Sequence, residues 1–466
     1  MSRARKAPKT VKSVAEVDAL TMLNPNAAGI DIGLDEMWVS VRADRDAEPV
    51  RRFGMNTPDL IAVAEWLKGC GIETAAMEST GVYWIPLYEI LEERGFKVYL
   101  VNARHAKNLP GRKKDETDAQ WLRRLHTFGL LNNCFRPEGE MCAVRAYWRH
   151  RADLIEHRAA HIQHMQKALH QMNVRLSPTV KDITGVTGMA IIRAILAGER
   201  NPVQLARLRQ PGCAQPEAEF VKALTGNYRD EHVFALKQAV ALYDANTQQI
   251  LECDQELERK FSALKPVHDD DLPPLDTTDK RNTHSKNTPA YDGRSLLYQL
   301  LGVDLVAVDG LNEVTAQTII SEIGTDMSRW QDEKHFCSWL GLAPHNDISG
   351  GKRLRSRTLP TNNRAGQAFR MAAQSVSKSP NSAFGAFYRR MKARLGAQQA
   401  IVATAHKIAR AYYHMLKHRT PFHDMGGEEY ERRARQREIR NLQKRAAKLG
   451  LSLVETPTAA ALAGSF

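Results

Sequence analysis

Four carboxylates within the first 120 residues, Asp31, Glu78, Asp115 and Asp118, carry the clearest chemical signal in this 466-residue chain. Asp31 lies in the apolar run Ala27-Ala-Gly-Ile-Asp-Ile-Gly33, and Glu78 ends a second run, Ile72 to Met77. Asp115 and Asp118 stand three apart after a basic loop, a spacing that on a helix puts both on one face. Carboxylates gathered in this way repel one another unless a cation sits among them. Magnesium takes a few such oxygens and keeps positions open for water and phosphate, and two ions so held can activate a nucleophile and neutralise a leaving oxygen. The pattern is that of metal-assisted phosphodiester chemistry, with magnesium or manganese as the cofactor. The plainer alternative gives each group a local role, with Asp115 as a helix N-cap, Asp118 as a first-turn charge, and Asp31 and Glu78 as polar strand ends.

The elements that must position these groups read as follows. The run around Asp31 and the alternating Met37-Trp-Val-Ser-Val41 form two strands of a hairpin. Ile72 to Met77 is a strand, after which Ser79-Thr-Gly81 turns the chain into a helix carrying Tyr83, Leu87, Ile90 and Leu91. Lys97 to Val101 is a further strand and leads into the loop Asn108 to Lys114. Five cations flank the acidic pair, Arg104, Lys107, Arg112, Lys113 and Lys114, and are candidate nucleic-acid contacts.

A second chemical region is Asn346-Asp-Ile-Ser-Gly-Gly-Lys-Arg-Leu-Arg-Ser-Arg357, a turn-forming loop that runs into Lys352, Arg353, Arg355 and Arg357. A serine attacks poorly unless a base or metal activates it, and a pentacoordinate phosphate needs cations at its equatorial oxygens. The loop supplies cations, which are expected to contact nucleic acid, and offers only His345 as a base. Ser356 competes with Ser349, and Ser349-Gly-Gly351 also reads as a simple turn.

Charge points independently to a polyanionic partner. The chain has 66 Lys and Arg against 53 Asp and Glu, net +13, and between Asp347 and Asp424 there are 15 Lys and Arg with no carboxylate. Such a stretch releases counterions on binding DNA or RNA. Phe384, Phe387, Tyr388, Tyr412 and Tyr413 are interleaved with these charges, at spacings that suit base stacking or a helical core. Six cysteines form no zinc pattern and imply a reducing compartment. The basic amino terminus lacks the apolar segment of a secretory signal, and no run reaches the roughly 18 apolar residues of a membrane span. The expectation is a cytoplasmic, nucleoid-associated protein with no membrane partner.

The organisation expected is α/β plus α: a basic arm (1–25), an α/β domain (26–135), a long helical, coiled-coil connector (136–263), a flexible linker (264–292), a mainly helical carboxy-terminal domain (293–423) and a basic helical tail (424–466). Residues 138–173 and about 216–262, long, charged and nearly free of Gly and Pro, are the two helical segments of the connector. His157, His161 and His164 share a helical face there, more in keeping with a solvated surface than with a metal site.

Separate motifs, in order, carry a family resemblance. Gly29-Ile-Asp-Ile-Gly33, Glu78-Ser-Thr-Gly-Val-Tyr-Trp-Ile-Pro-Leu-Tyr88, Val98-Tyr-Leu-Val-Asn-Ala-Arg-His105 and Leu109-Pro-Gly-Arg-Lys-Lys-Asp-Glu-Thr-Asp-Ala119 resemble the amino-terminal domain of the insertion-sequence-110 transposases, in particular their eleven-eleven branch. Asp182-Ile-Thr-Gly-Val-Thr-Gly188, Ala190 to Gly198 and Trp339-Leu-Gly-Leu-Ala-Pro344 resemble the later segments of the same family. The resemblance implies an RNase H/RuvC-like domain whose metal ligands are Asp31, Glu78, Asp115 and Asp118, and a carboxy-terminal transposase domain whose nucleophilic serine falls on Ser349. It further implies guidance by a structured bridge RNA that pairs with donor and target DNA, a covalent phosphoserine intermediate, and a tetrameric assembly. Val308-Asp-Gly-Leu311 occupies a turn where relatives carry Gly-Val-Gly, so Asp309 argues for packing rather than phosphate contact.

Three other readings have distinct signatures. A RuvC-like hydrolytic, junction-cutting endonuclease would leave free DNA ends and use Ser349 only as a turn residue. Gly-Ile-Asp-Ile-Gly also resembles the first phosphate motif of actin-like ATPases, but the later glycine-rich loops are absent and Ser-Gly-Gly-Lys-Arg does not fit a P-loop. A non-catalytic scaffold would tolerate Glu78→Gln.

Overall fold

The computed structural model describes residues 21–79, 81–102, 117–137, 139–268, 271–276, 286–358 and 361–454. The chain divides into two compact units, residues 1–136 and 137–466.

The first unit is built on a five-stranded sheet. Its strands are β1 (Ala27–Ile32), β2 (Glu36–Ser40), β3 (Val50–Gly54), β4 (Thr74–Glu78) and β5 (Lys97–Val101), in the order β3-β2-β1-β4-β5. The first three strands pair antiparallel, while β1, β4 and β5 run parallel. Parallel neighbours need a crossover, supplied by α1 (Thr57–Gly69) and α2 (Trp84–Glu93). Strand alternation sorts the side chains into two layers. Ile30, Ile32, Met77, Val98 and Leu100 pack with Leu60, Val63 and Leu67 of α1 and Leu87 and Leu91 of α2. Ala76 and Val101 form the opposite layer with Trp121, Leu122 and Leu125 of α3 (Asp118–Thr127). The result is an α/β/α sandwich around a mixed sheet.

β3 is absent from the strands read in the sequence. Its run Val-Arg-Arg-Phe-Gly carries Arg51 and Arg52 on an edge, where charge guards against pairing with another chain, and this hides it from a search for apolar alternation.

The second unit is mainly helical. α4 (Glu140–Gln171) and α5 (Asp230–Ala263) lie antiparallel, with Lys260 Nζ 2.9 Å from Glu140 Oε2. Between them Arg151 and Asp254, each with a side chain 3% exposed, form a buried ion pair that includes an Nη2–Oδ2 hydrogen bond of 3.2 Å. Asp254 also accepts from the backbone amide of Ala290 at 3.0 Å. At the other end of the pair, Met165, Leu169, Ile191, Ile195, Phe220 and Leu236 share one core. The helix expected from about residue 216 is in two pieces, Glu217–Ala223 and α5, because the chain turns at Gly226-Asn-Tyr228. Tyr228 has φ +42°, and a Cβ on Gly226 would stand 2.6 Å from the Met172 carbonyl oxygen.

The remainder includes the short helices Gly293–Leu301 and Glu333–Trp339 together with α6 (Glu313–Ile323), a two-stranded hairpin, α7 (Arg364–Val376), α8 (Ala383–Leu395), α9 (Ala397–His418) and α10 (Gly427–Lys448). Arg149 grips Glu322 through two hydrogen bonds of 2.8 and 2.6 Å, tying α4 to α6. Phe336, Phe369, Tyr412 and Tyr413 pack ring against ring, and Phe384 stacks on Phe422. Phe384, Tyr412 and Tyr413 are buried, so the base-stacking option for these three gives way to a core role. Gly310 (φ +90°) lies against α7, where a Cβ would come within 2.5 Å of the Ala372 carbonyl oxygen. That turn packs, as Asp309 suggested. Among the described residues, no helix is long and apolar enough to cross a membrane.

Candidate active site

The sheet brings two of the four carboxylates together by register. β1 and β4 pair in parallel with Ile30 opposite Met77, so the next step along puts Asp31 opposite Glu78. Neighbouring strands are about 4.8 Å apart, and facing residues point to the same side. That side is the layer of Ala76, against which α3 packs. Glu78 is 8% exposed and Asp31 half-buried. The carboxyl end of β4 is fixed by its pairing with β5, where Glu78 is opposite Val101, and by Ser79, whose backbone amide and hydroxyl both donate to the Val101 carbonyl at 3.0 and 3.2 Å.

α3 carries Asp118 to the same end. Its last residues sit at the start of β1: the Leu23 and Asn24 amides donate to the Thr127 carbonyl at 2.9 and 3.0 Å. His126 contacts the start of β4, its Nε2 2.8 Å from the Thr74 hydroxyl. The helix therefore runs antiparallel to β1. At 1.5 Å per residue it returns roughly 13 Å toward the strands' carboxyl ends, where Asp118 opens its first turn. Close contact is possible because Gly29 has no side chain: a Cβ there would lie 2.2 Å from the Ala119 carbonyl oxygen and 2.3 Å from the Arg123 amide nitrogen. The helix expected to begin at Asp115 begins at Asp118. Its N-cap is Thr117, which exchanges hydrogen bonds with Gln120 in a capping box. Asp118 does occupy the first turn, where its charge complements the helix dipole.

Asp115 and the cations Arg104, Lys107, Arg112, Lys113 and Lys114 lie outside the described residues. Among the described residues, no three His, Cys, Asp or Glu side chains converge as a metal ligand set, His157, His161 and His164 included. The donor chemistry nonetheless fits a hard divalent ion, since Asp31, Glu78 and Asp118 offer only carboxylate oxygens at one end of the sheet.

The loop around Ser349 is a hairpin, β6 (His345–Ser349) and β7 (Lys352–Arg357), with Ser349 paired to Lys352 across Gly350 and Gly351. Both glycines have positive φ, +57° and +75°, as a two-residue type I′ turn requires. A register shift at Asp347/Ile348 pairs Asp347 with Arg355 and Ile348 with Arg353, leaving Leu354 as the extra residue of β7. The bulge changes which residues share a face. Ser349, Lys352, Asp347, Arg355, His345 and Arg357 lie on one side, while Arg353 and Ser356 lie on the other. Asp347 lies 3.2 Å from Arg355 and 3.6 Å from His345. His345 is four residues from Ser349, roughly 13 Å along the strand, and so cannot serve as its base.

Two features here were not read from the sequence. The close approach at Gly29 has no local signal, because its partner helix lies some 90 residues away. The bulge that moves Arg355 and Arg357 onto the Ser349 face would have needed the register. The Gly-Gly pair itself was a usable hairpin signal.

Residues 28–174 match a family model described as transposase, the DEDD transposase domain of the IS110 family. Residues 304–389 match a second, described as the transposase IS116/IS110/IS902 family. No curated protein matches the chain. The DEDD domain is RNase H-like, in keeping with the mixed sheet, and the second match spans α6 and the exposed hairpin. These two IS110-family transposase domains mark the chain as a DNA-cleaving transposase.

Proposed function

We propose that this transposase is an RNA-guided recombinase, in which Ser349 is the nucleophile and Asp31, Glu78, Asp115 and Asp118 hold magnesium or manganese. The observation that carries the reading is the parallel register that sets Asp31 against Glu78, with Asp118 arriving over Gly29 at the same end. Ser349 adds support: it stands on an exposed face shared with Lys352, Arg355 and Arg357, where the carboxylate Asp347 is already paired with Arg355 and His345. In this reading the metal site, not the hairpin, activates it.

In the proposed reaction the Ser349 Oγ attacks a scissile phosphorus, losing its proton, and the displaced DNA oxygen leaves as a hydroxyl. The serine–phosphate ester keeps the phosphoester bond, so a DNA hydroxyl can later displace Ser349 and reseal the strand without ATP. Lys352 and Arg355 sit where they offset charge on the phosphate oxygens. A divalent ion at the four carboxylates would activate the attacking oxygen and neutralise the leaving one. Base pairing with a bridge RNA would supply sequence choice, leaving the protein to read backbone and shape, in a tetramer acting on donor and target DNA.

The test is a denaturing-gel search for a protein–DNA adduct, with the wild type, Ser349→Ala and Ser356→Ala each expressed beside the flanking non-coding DNA and a matching target. An adduct that disappears only in Ser349→Ala supports the reading. Free cut ends in all three would instead establish a hydrolytic nuclease.

A further inference from the structure

α10, the last of the described helices, packs on α8 through its first turns and is exposed beyond them. The Gly427 amide donates to the Asn381 carbonyl at 2.6 Å, and Tyr430 and Ala434 are buried against Ala383, Ala386 and Phe387 of α8. Lys407 of α9 lies over the Tyr430 and Phe387 rings at 4.4 and 4.6 Å. Beyond Ala434 every residue to Lys448 is exposed, apart from Ile439 and Ala446, which are partly covered.

Charge is sorted around this helix. Glu431 and Glu438 reach back to Arg389 and Arg390 of α8, at 3.5 and 3.0 Å, and Glu429 pairs with Arg432 and Arg433. With Glu428 in the first turn, these are all the carboxylates of the helix. At 3.6 residues per turn, Arg437, Arg440, Lys444 and Lys448 fall within roughly 80° of one another, a stripe about 16 Å long. All four are exposed, and among the described residues no carboxylate pairs with them. Gln436 and Gln443 border the stripe on its solvent side. It continues toward Lys407, whose ammonium is destabilised first by burial and then by the positive charge of Arg437 and Arg410. Like charges held together without a counterion are a favourable setting for a polyanion.

We infer that the Arg437–Arg440–Lys444–Lys448 face of α10 is a docking surface for duplex DNA, gripping the phosphate backbone with the helix lying along the major groove. A B-form major groove is about 12 Å wide and admits an α-helix, whereas the deep, narrow groove of duplex RNA does not. The stripe carries no aromatic side chain, which argues against a single strand held by stacking. This surface lies outside both family matches, and the inference needs neither the carboxylates nor Ser349.

The experiment is a salt titration of binding, by fluorescence anisotropy, of the full-length protein to a random-sequence 30-base-pair DNA duplex and to the matching RNA duplex (length about three helical turns). The stripe variant Arg437→Gln/Arg440→Gln/Lys444→Gln is compared with an off-stripe variant, Arg432→Gln/Arg435→Gln/Arg445→Gln, which removes the same net charge. Gln keeps helix propensity close to that of Arg and Lys, and equal far-ultraviolet circular dichroism verifies the fold. The stripe variant is expected to bind DNA about tenfold or more weakly, with the slope of log K against log salt reduced by roughly 2 to 3, about one per phosphate contact. The off-stripe variant should stay near wild type. Equal losses in both variants, an unchanged DNA slope, or a loss confined to duplex RNA would each overturn the inference.

Discussion

At the residue scale, two positions have consequences that can be measured without a substrate. Gly29→Ala would drive a methyl group into the α3 backbone, which cannot yield like a flexible side chain. Overpacking of this kind typically costs about 1–3 kcal/mol, so a lower chemical-denaturation midpoint is expected, and DNA cleavage should fall further than the stability loss explains because Asp118 moves with the helix. His126 gives a pH signature. Burial, with the charge of Lys97 adding to it, pulls the imidazole down to about 4, from 6.5. The unfolded chain therefore binds the extra proton first, and the stability from the neutral ring is complete above about pH 6.5 and lost as pH falls toward 4. Thermal melts of the wild type should decline through that window, and those of His126→Gln should decline less. The carboxylates stood out one by one, Asp31 inside an apolar run, Glu78 at the end of another, and Asp115 and Asp118 after a basic loop. What sets Asp31 against Glu78 and lays α3 over Gly29 is a strand register and a helix contact that no local window contains.

The element scale separates what is rigid from what stands alone. The buried Arg151–Asp254 pair binds α4 to α5, and Asp254 also holds the Ala290 amide. Removing one partner leaves an uncompensated buried charge, so Asp254→Ala is expected to cost about 3–5 kcal/mol, measurable as a shift in urea midpoint. The β6–β7 hairpin is the opposite case. Ile348 and Leu354 are 66% and 68% exposed, and a two-stranded hairpin alone is marginal in water. Trypsin is therefore expected to cut the hairpin readily at Lys352, Arg353, Arg355 or Arg357, and duplex DNA to slow that cut; peptide mapping with and without DNA decides. Sequence periodicity found the long helices because their apolar positions recur locally. It missed β3, whose arginines guard an edge, and it ran the second connector helix through Gly226, whose turn is set by contact with Met172.

For the whole molecule, two transposase matches and a net charge of +13 describe a protein that cleaves a polyanion. Chelating divalent metal with EDTA is expected to abolish strand cleavage while leaving duplex binding in place, as gel cleavage and anisotropy assays run in parallel will show; loss of both would mean that the metal sustains the fold. The sorting of the chain into a sheet unit and a helical unit was readable from composition and periodicity, and the carboxylate-free stretch from Asp347 to Asp424 was readable from counting. The parallel pairing of β1 and β4 has one more consequence. Side chains alternate along a strand, so a slip of one residue turns Asp31 away from Glu78 and from α3. The sheet behaves like a reading frame: one residue inserted between Ala27 and Ile30 throws the carboxylates out of phase, and a second insertion restores the face but leaves them a step out of level.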